Sequence, residues 1–270
     1  MKVKKISIAN VEVDALPELL DKEKIGFQPI DNVNWEAYPY RPKVEFRIAH
    51  SDDAVLLHFN VKEASVRAKY GEDDGSVWTD SCVEFFSVPA GDGIYYNIEC
   101  NCIGTILIGA GAERNNRERA SREVTDQVKR WASLGRQPFD ERIGECNWEV
   151  ALVIPYTAFF KHHITSLDGK IITANFYKCG DELQTPHFLS WNPIKIEKPD
   201  ANLKVDDTRL FIGYRICAQN SSKVLVLSNS RVRDVELNNS TILSKAGLKN
   251  FISASVMPII RTKCTVFFFH

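Results

Sequence analysis

The 270-residue chain holds only two methionines, Met1 and Met257, and seven cysteines with no pair spaced as CxxC. A haem held between histidine and methionine therefore finds no methionine in the body of the chain. The cysteines, at positions 82, 100, 102, 146, 179, 217 and 264, are odd in number and scattered. They read as reduced thiols in small apolar sites, not as a disulfide or zinc framework. No run of about 18 apolar residues occurs, so no membrane-spanning helix and no membrane partner are expected. Residues 1–10 are basic but lack the apolar core of a signal peptide, which points to a cytoplasmic location. The 34 Lys and Arg nearly balance 35 Asp and Glu, and no basic run carries interleaved aromatics. Nucleic acid is therefore not an expected partner. Signatures of a P-loop, a dinucleotide site or a serine or cysteine nucleophile are missing as well.

What is present is a globular composition, 44% hydrophobic and 26% charged. Residues 1–200 read as β-rich. Val55, Leu57, Phe59 and Val61 alternate with Leu56, His58, Asn60 and Lys62, and Trp148, Val150, Leu152 and Ile154 repeat the pattern. Residues 171–177 are β-branched and aromatic, and turn signals at 71–75, 90–93 and 168–169 punctuate the strands. The expected fold class is all-β, an antiparallel, jelly-roll-like β-sandwich. Residues 113–130 are charged and lack β alternation. Ala120, Val124 and Val128 recur there at i, i+4 and i+8, so a short helix or a long loop is expected. Residues 155–160 read as one helical turn.

Composition changes after Asp200. Residues 201–270 hold ten Lys and Arg against four Asp and Glu, a net of +6, whereas the first 200 carry a net of −7. All five tryptophans precede the break. The tail reads either as a small extra subdomain or as a non-native extension such as a shifted reading frame would produce.

Residues 77–86, Val-Trp-Thr-Asp-Ser-Cys-Val-Glu-Phe-Phe, set Trp78 at the mouth of a strand and Glu84 within it. An indole stacks on the C–H face of a sugar, and a carboxylate accepts hydrogen bonds from its hydroxyls. Residues 95–104 follow after a hairpin turn, and strand alternation puts Asn97, Glu99 and Asn101 on one face. The hairpin is expected to bring Glu84 beside Asn97 or Glu99. A second tryptophan, Trp191, sits at a strand end before Asn192-Pro193.

Between about residues 40 and 200 the chain resembles the family 9 carbohydrate-binding modules and, more closely, family-9-like relatives of gut Bacteroidetes. The resemblance rests on residues 77–86, on Tyr95-Tyr96-Asn97 with Asn101 and Gly104, on Trp148-Glu149 with Ile154-Pro155, on residues 174–178 and on Ser190-Trp191-Asn192-Pro193. It implies a β-sandwich that grips a mono- or oligosaccharide between two tryptophans. By position Trp78 and Trp191 match the clamp and Glu84 the hydroxyl-binding carboxylate, with Asn97, Glu99 and Asn101 in the strand that supplies further polar contacts. It also implies a role beside carbohydrate breakdown, and family members can hold structural calcium. The chain departs from the family after residue 200, where Ala201-Asn202-Leu203-Lys204 replaces an aromatic, histidine-containing segment, so the closing strand is expected to be missing or altered.

Asp80, Glu84, Glu99 and Asp181 raise glycoside hydrolysis, which uses paired carboxylates. Spacing alone places no two of them at a catalytic separation. Binding without turnover is the expectation, with a glycoside hydrolase as the alternative and a protein-interaction domain as a second. Trp148 reads as core, Trp35 and Trp131 stay unassigned, and the neighbours His162 and His163 diverge too much for a metal. His187 reads as a solvated loop histidine near the site.

Overall fold

Alternating apolar side chains build two facing sheets in the computed structural model, which describes residues 1–8, 10–194 and the backbone of 216–218. The chain divides into two units, residues 1–220 and 221–270, and the second lies outside the described residues. The chain opens with β1 (Lys2–Lys5), helix α1 (Leu16–Lys22), β2 (Gln28–Pro29), β3 (Asn32–Val33), β4 (Lys43–His50) and β5 (Ala54–Ala68). Next come β6 (Cys82–Val88), β7 (Tyr95–Asn101), β8 (Ile106–Gly111), β9 (Glu118–Arg119), helix α2 (Arg122–Thr125), β10 (Lys129–Ala132) and β11 (Phe139–Pro155). The described strands end with β12 (Ile171–Cys179), β13 (Phe188–Ser190) and β14 (Ile216–Ala218).

One layer runs β10-β11-β5-β4 and the other β12-β6-β7-β8-β9, each antiparallel throughout. This is the expected sandwich, with one departure. Strand β1 is parallel to β4 on one side and to β14 on the other, so it joins the layers at an edge. Strand β14 also pairs with β12, which places a strand from beyond residue 200 on that edge. The readings of the tail and of a boundary at residue 200 otherwise fall outside the described residues.

The core is what the period-two patterns predict. Phe46 and Phe59 from one layer meet Phe85 and Phe176 from the other, all fully or almost fully buried. Phe176 stacks on Phe46 at 3.6 Å between ring centroids and on Phe85 at 5.1 Å. Trp148 lies in the same core, as expected. Cys82, Cys100, Cys102 and Cys179 are buried free thiols.

Helix α1 was not foreseen. Leu16 and Leu20, four apart, cover Leu56 and Ala151 on the outer face of the β5–β11 layer. Pro17 starts the helix and Glu18 and Lys22 complement its dipole, but two buried leucines in seven residues are too faint a period to recognise alone. The expected irregular segment at 113–130 resolves into a 3₁₀ turn (Arg114–Asn116), β9 and the single-turn α2, and the predicted turn at 155–160 is a 3₁₀ turn at Tyr156–Ala158. No helix among the described residues is long and apolar enough to cross a membrane.

Candidate functional site

The strands that bury Val83, Phe85, Ile98, Ile108 and Phe176 turn their alternate residues outward. Those outward residues, under the 114–119 segment and the loops carrying Trp35 and Trp78, enclose a cavity of about 400 Å³. Register fixes its floor. Tyr177, Glu84, Glu99 and Leu107 form one rung across β12, β6, β7 and β8. Phe86, Asn97 and Gly109 belong to the next.

The predicted meeting of Glu84 with Asn97 and Glu99 takes place there. Asn97 Nδ2 donates to Glu84 Oε2 at 3.0 Å and to Glu99 Oε1 at 2.7 Å. The Cys179 thiol donates to the other oxygen of Glu84 at 3.1 Å. Arg117 Nη1 stands 3.9 Å from Glu99 Oε1, an ion-pair distance too long for a hydrogen bond. Glycines on β8 make room for this arginine. A Cβ on Gly111 would come within 3.0 Å of Arg117 Cα and 3.1 Å of the Asn116 carbonyl oxygen.

Three buried polar atoms of this floor, Asn97 Oδ1, Glu99 Oε2 and Arg117 Nη1, have no hydrogen-bond partner among the described residues. Burial, reinforced by the charge of Glu84 and opposed by Arg117, pushes the Glu99 carboxyl up to about 8 from 4.5. Glu99 thus keeps its proton at neutral pH and can donate as well as accept. Because the folded state binds this proton more tightly than the unfolded chain, its contribution to stability is complete below about pH 4.5 and is lost as the pH rises through about 8. The urea midpoint is expected to decline across that window, and Glu99→Gln to flatten the decline. An unchanged slope in the variant would show that Glu99 is not the titrating group.

The walls are aromatic. Trp78 sits on the 3₁₀ turn Val77–Thr79, which ends at Asp80 just before β6. Trp35 also lines the cavity, edge-on to Phe188 at 6.1 Å, with Tyr38 against the same ring at 4.7 Å.

Two sequence assignments change here. Trp191 is not in the cavity. Tyr177 pairs with Ser190, so the next residue falls opposite inward-facing Phe176. The Trp191 ring packs edge-on against Phe46 at 5.4 Å and Phe176 at 5.6 Å, and the backbone N–H of Trp191 donates to the Phe176 carbonyl. Asn101 is also withdrawn. Its Nδ2 donates to the Tyr70 carbonyl and to Asp80, while its Oδ1 accepts from the N–H groups of Ile103 and Thr105. That fills its capacity, so it closes the β7–β8 turn and offers nothing to a ligand. Asp80, which accepts from Asn101, also accepts from the backbone N–H groups of Lys69 and Tyr70 just past β5.

His187, read as solvated, is fully buried. His162 bonds Tyr96 and Asp92. Among the described residues no three His, Cys, Asp or Glu side chains gather as a metal-binding group, so the calcium implied by the resemblance finds no such donor set there. Sequence reasoning missed Trp35 and Arg117. Trp35 lies in an aromatic, proline-containing loop, residues 34–40, whose composition was the only available signal.

Comparison with known proteins follows the same lines. The family model described as carbohydrate-binding family 9 matches residues 14–205. A crystal structure from Bacteroides uniformis, described as a candidate carbohydrate-binding protein, is 57% identical with a TM-score of 0.72. The match covers 74% of this chain and 92% of that one. Family 9 modules from Caldicellulosiruptor kristjanssonii, solved with glucose and with cellotriose, are 10% and 11% identical with TM-scores of 0.45 and 0.49. The glucose complex is covered to 85% by 70% of this chain and the cellotriose complex to 100% by 84%. At that distance they support no argument about the ligand of this chain. No curated protein matches it.

Proposed function

The chain belongs to carbohydrate-binding family 9, and from that premise we propose that it holds a mono- or oligosaccharide in the cavity over β6, β7, β8 and β12 without turning it over. The observation that supports this best is the trio of unsatisfied atoms in an aromatic chamber, Asn97 Oδ1, Glu99 Oε2 and Arg117 Nη1. Each unpaired buried polar atom costs about 1–3 kcal/mol, and a sugar hydroxyl, which both donates and accepts, relieves donors and acceptors alike. Trp78 stacks on one face of the sugar. Trp35 and Phe188 take the wall that the family resemblance assigned to Trp191. A role beside carbohydrate breakdown is inferred from the family alone.

Hydrolysis fits this floor poorly. A glycosidase sets its two carboxylates on either side of the bond to be broken. Glu84 and Glu99 instead lie side by side on one rung, bridged by the Asn97 amide.

The test is calorimetry and tryptophan fluorescence against a panel of neutral, acidic and amino monosaccharides and short oligosaccharides. A dissociation constant on the order of micromolar to millimolar is expected for at least one of them. Silence across the panel would overturn the proposal. Turnover of nitrophenyl glycosides that disappears in Glu84→Gln would replace binding by hydrolysis.

A further inference from the structure

Lys178 is an inward-facing ammonium with no exposure at all, on the strand that supplies Tyr177 and Cys179 to the cavity. Its Nζ lies 2.9 Å from Glu63 Oε2, donates to the Cys179 carbonyl at 2.8 Å and meets His187 Nε2 at 2.7 Å. Two of its N–H bonds thus meet hydrogen-bond acceptors, while Glu63 Oε2 pairs with it as a charge without an aligned hydrogen bond. His187 Nδ1 lies 2.9 Å from the Thr185 carbonyl and so carries the proton, which leaves Nε2 to accept from Lys178. Burial and the Lys178 charge hold His187 down to about 3, so it stays neutral. Trp148 Nε1 donates to Glu63 Oε1 at 2.6 Å. Glu63 belongs to β5 in the opposite layer, so the network ties the two layers together beneath the cavity.

The residue after His187 is Phe188, the ring against which Trp35 and Tyr38 pack. We propose that Lys178 is a positioning residue: through Glu63 and His187 it sets where Phe188 and Trp35 stand in the cavity wall. An apolar side chain in its place would fill the space but leave His187 Nε2 without a donor, and the loop would lose its registration to the sheet. The inference rests on the carbohydrate reading only for its affinity readout.

Lys178→Met alone leaves the Glu63 carboxylate buried and unpaired, and this variant is expected not to fold. The decisive protein is therefore the double variant Glu63→Gln/Lys178→Met, neutral at both positions. Beside it stand His187→Leu, which removes the acceptor, and His187→Gln, which keeps one. All are labelled with 5-fluorotryptophan, and the Trp35 resonance is assigned through Trp35→Phe. The double variant and His187→Leu are expected to shift or broaden the Trp35 resonance while that of Trp131, on the far side of the β10–β11 layer, stays put; His187→Gln retains the wild-type Trp35 signal. If the double variant does not fold, the two His187 variants decide alone. An unmoved Trp35 signal in every folded variant that breaks the network overturns the proposal, whether or not any sugar binds. For whichever of glucose, galactose, mannose or xylose binds the wild type, affinity is expected to fall at least tenfold with the Trp35 shift. Unchanged affinity despite that shift would confine the effect to the wall and overturn its role in binding. If none of the four binds the wild type, the fluorine signal still decides the positioning claim.

Discussion

Trp78→Ala is expected to weaken saccharide binding by at least about 30-fold while the sandwich stays folded. A tryptophan at the centre of a binding site typically contributes 2 kcal/mol or more, which is about that factor. The fold should tolerate the loss because Trp78 is only partly buried, at the margin of a small cluster around Val77, Cys82, Leu107 and Cys179. The contact of Trp78 with the 180s loop runs through its backbone, whose carbonyl accepts from the N–H of Asp181, and alanine keeps that carbonyl. Trp191→Ala is the control. Its ring packs on Phe46 and Phe176, so stability should fall and affinity stay within about threefold, well under the 1.4 kcal/mol that marks a tenfold change. Calorimetry and urea unfolding on the two variants separate the roles. If Trp191→Ala loses binding and Trp78→Ala does not, the cavity over the β6–β7 floor is not the sugar site.

Phe176→Ala is expected to remove about 3–5 kcal/mol of stability, a large share of the 5–15 kcal/mol typical of a domain. Phe176 has no exposed surface and stacks between Phe46 of one layer and Phe85 of the other, with Trp191 on its edge. Close packing from both sheets leaves the surroundings little freedom to collapse into the void. The measurement is a urea transition whose midpoint drops with its slope preserved. A cost under about 1.5 kcal/mol would mean that the two layers relax around the gap and that this stack does not organise the core.

The sandwich was legible because strands advertise themselves locally. Val55, Leu57, Phe59 and Val61 alternate whatever lies beyond them, and a period of two assigns each to the core face. The meeting of Glu84 with Asn97 and Glu99 was legible for the same reason. A short turn joins β6 to β7, so pairing and parity follow from the hairpin itself. Helix α1 was not legible, since two leucines on a seven-residue helix declare themselves only against the Leu56 face they cover.

By itself, then, the sequence determined the fold class, the meeting of Glu84 with Asn97 and Glu99, and the place of Trp78 just before β6. All three depend on periodicity and short-range connection. Tertiary structure decided the rest. It sent Trp191 inward because its neighbour Ser190 pairs with Tyr177, and it brought Trp35 from a loop some 150 residues earlier into the cavity lining. It used up Asn101 in a turn while leaving Asn97, four residues before it on the same face, with an open oxygen. It also set Arg117 over the glycines of β8 beside Glu99. The physical reason is one of distance along the chain. Alternation tells which side of its own strand a residue occupies, but which loop closes over that side, and which polar atoms remain unsatisfied beneath it, depend on contacts between segments with no local pattern in common.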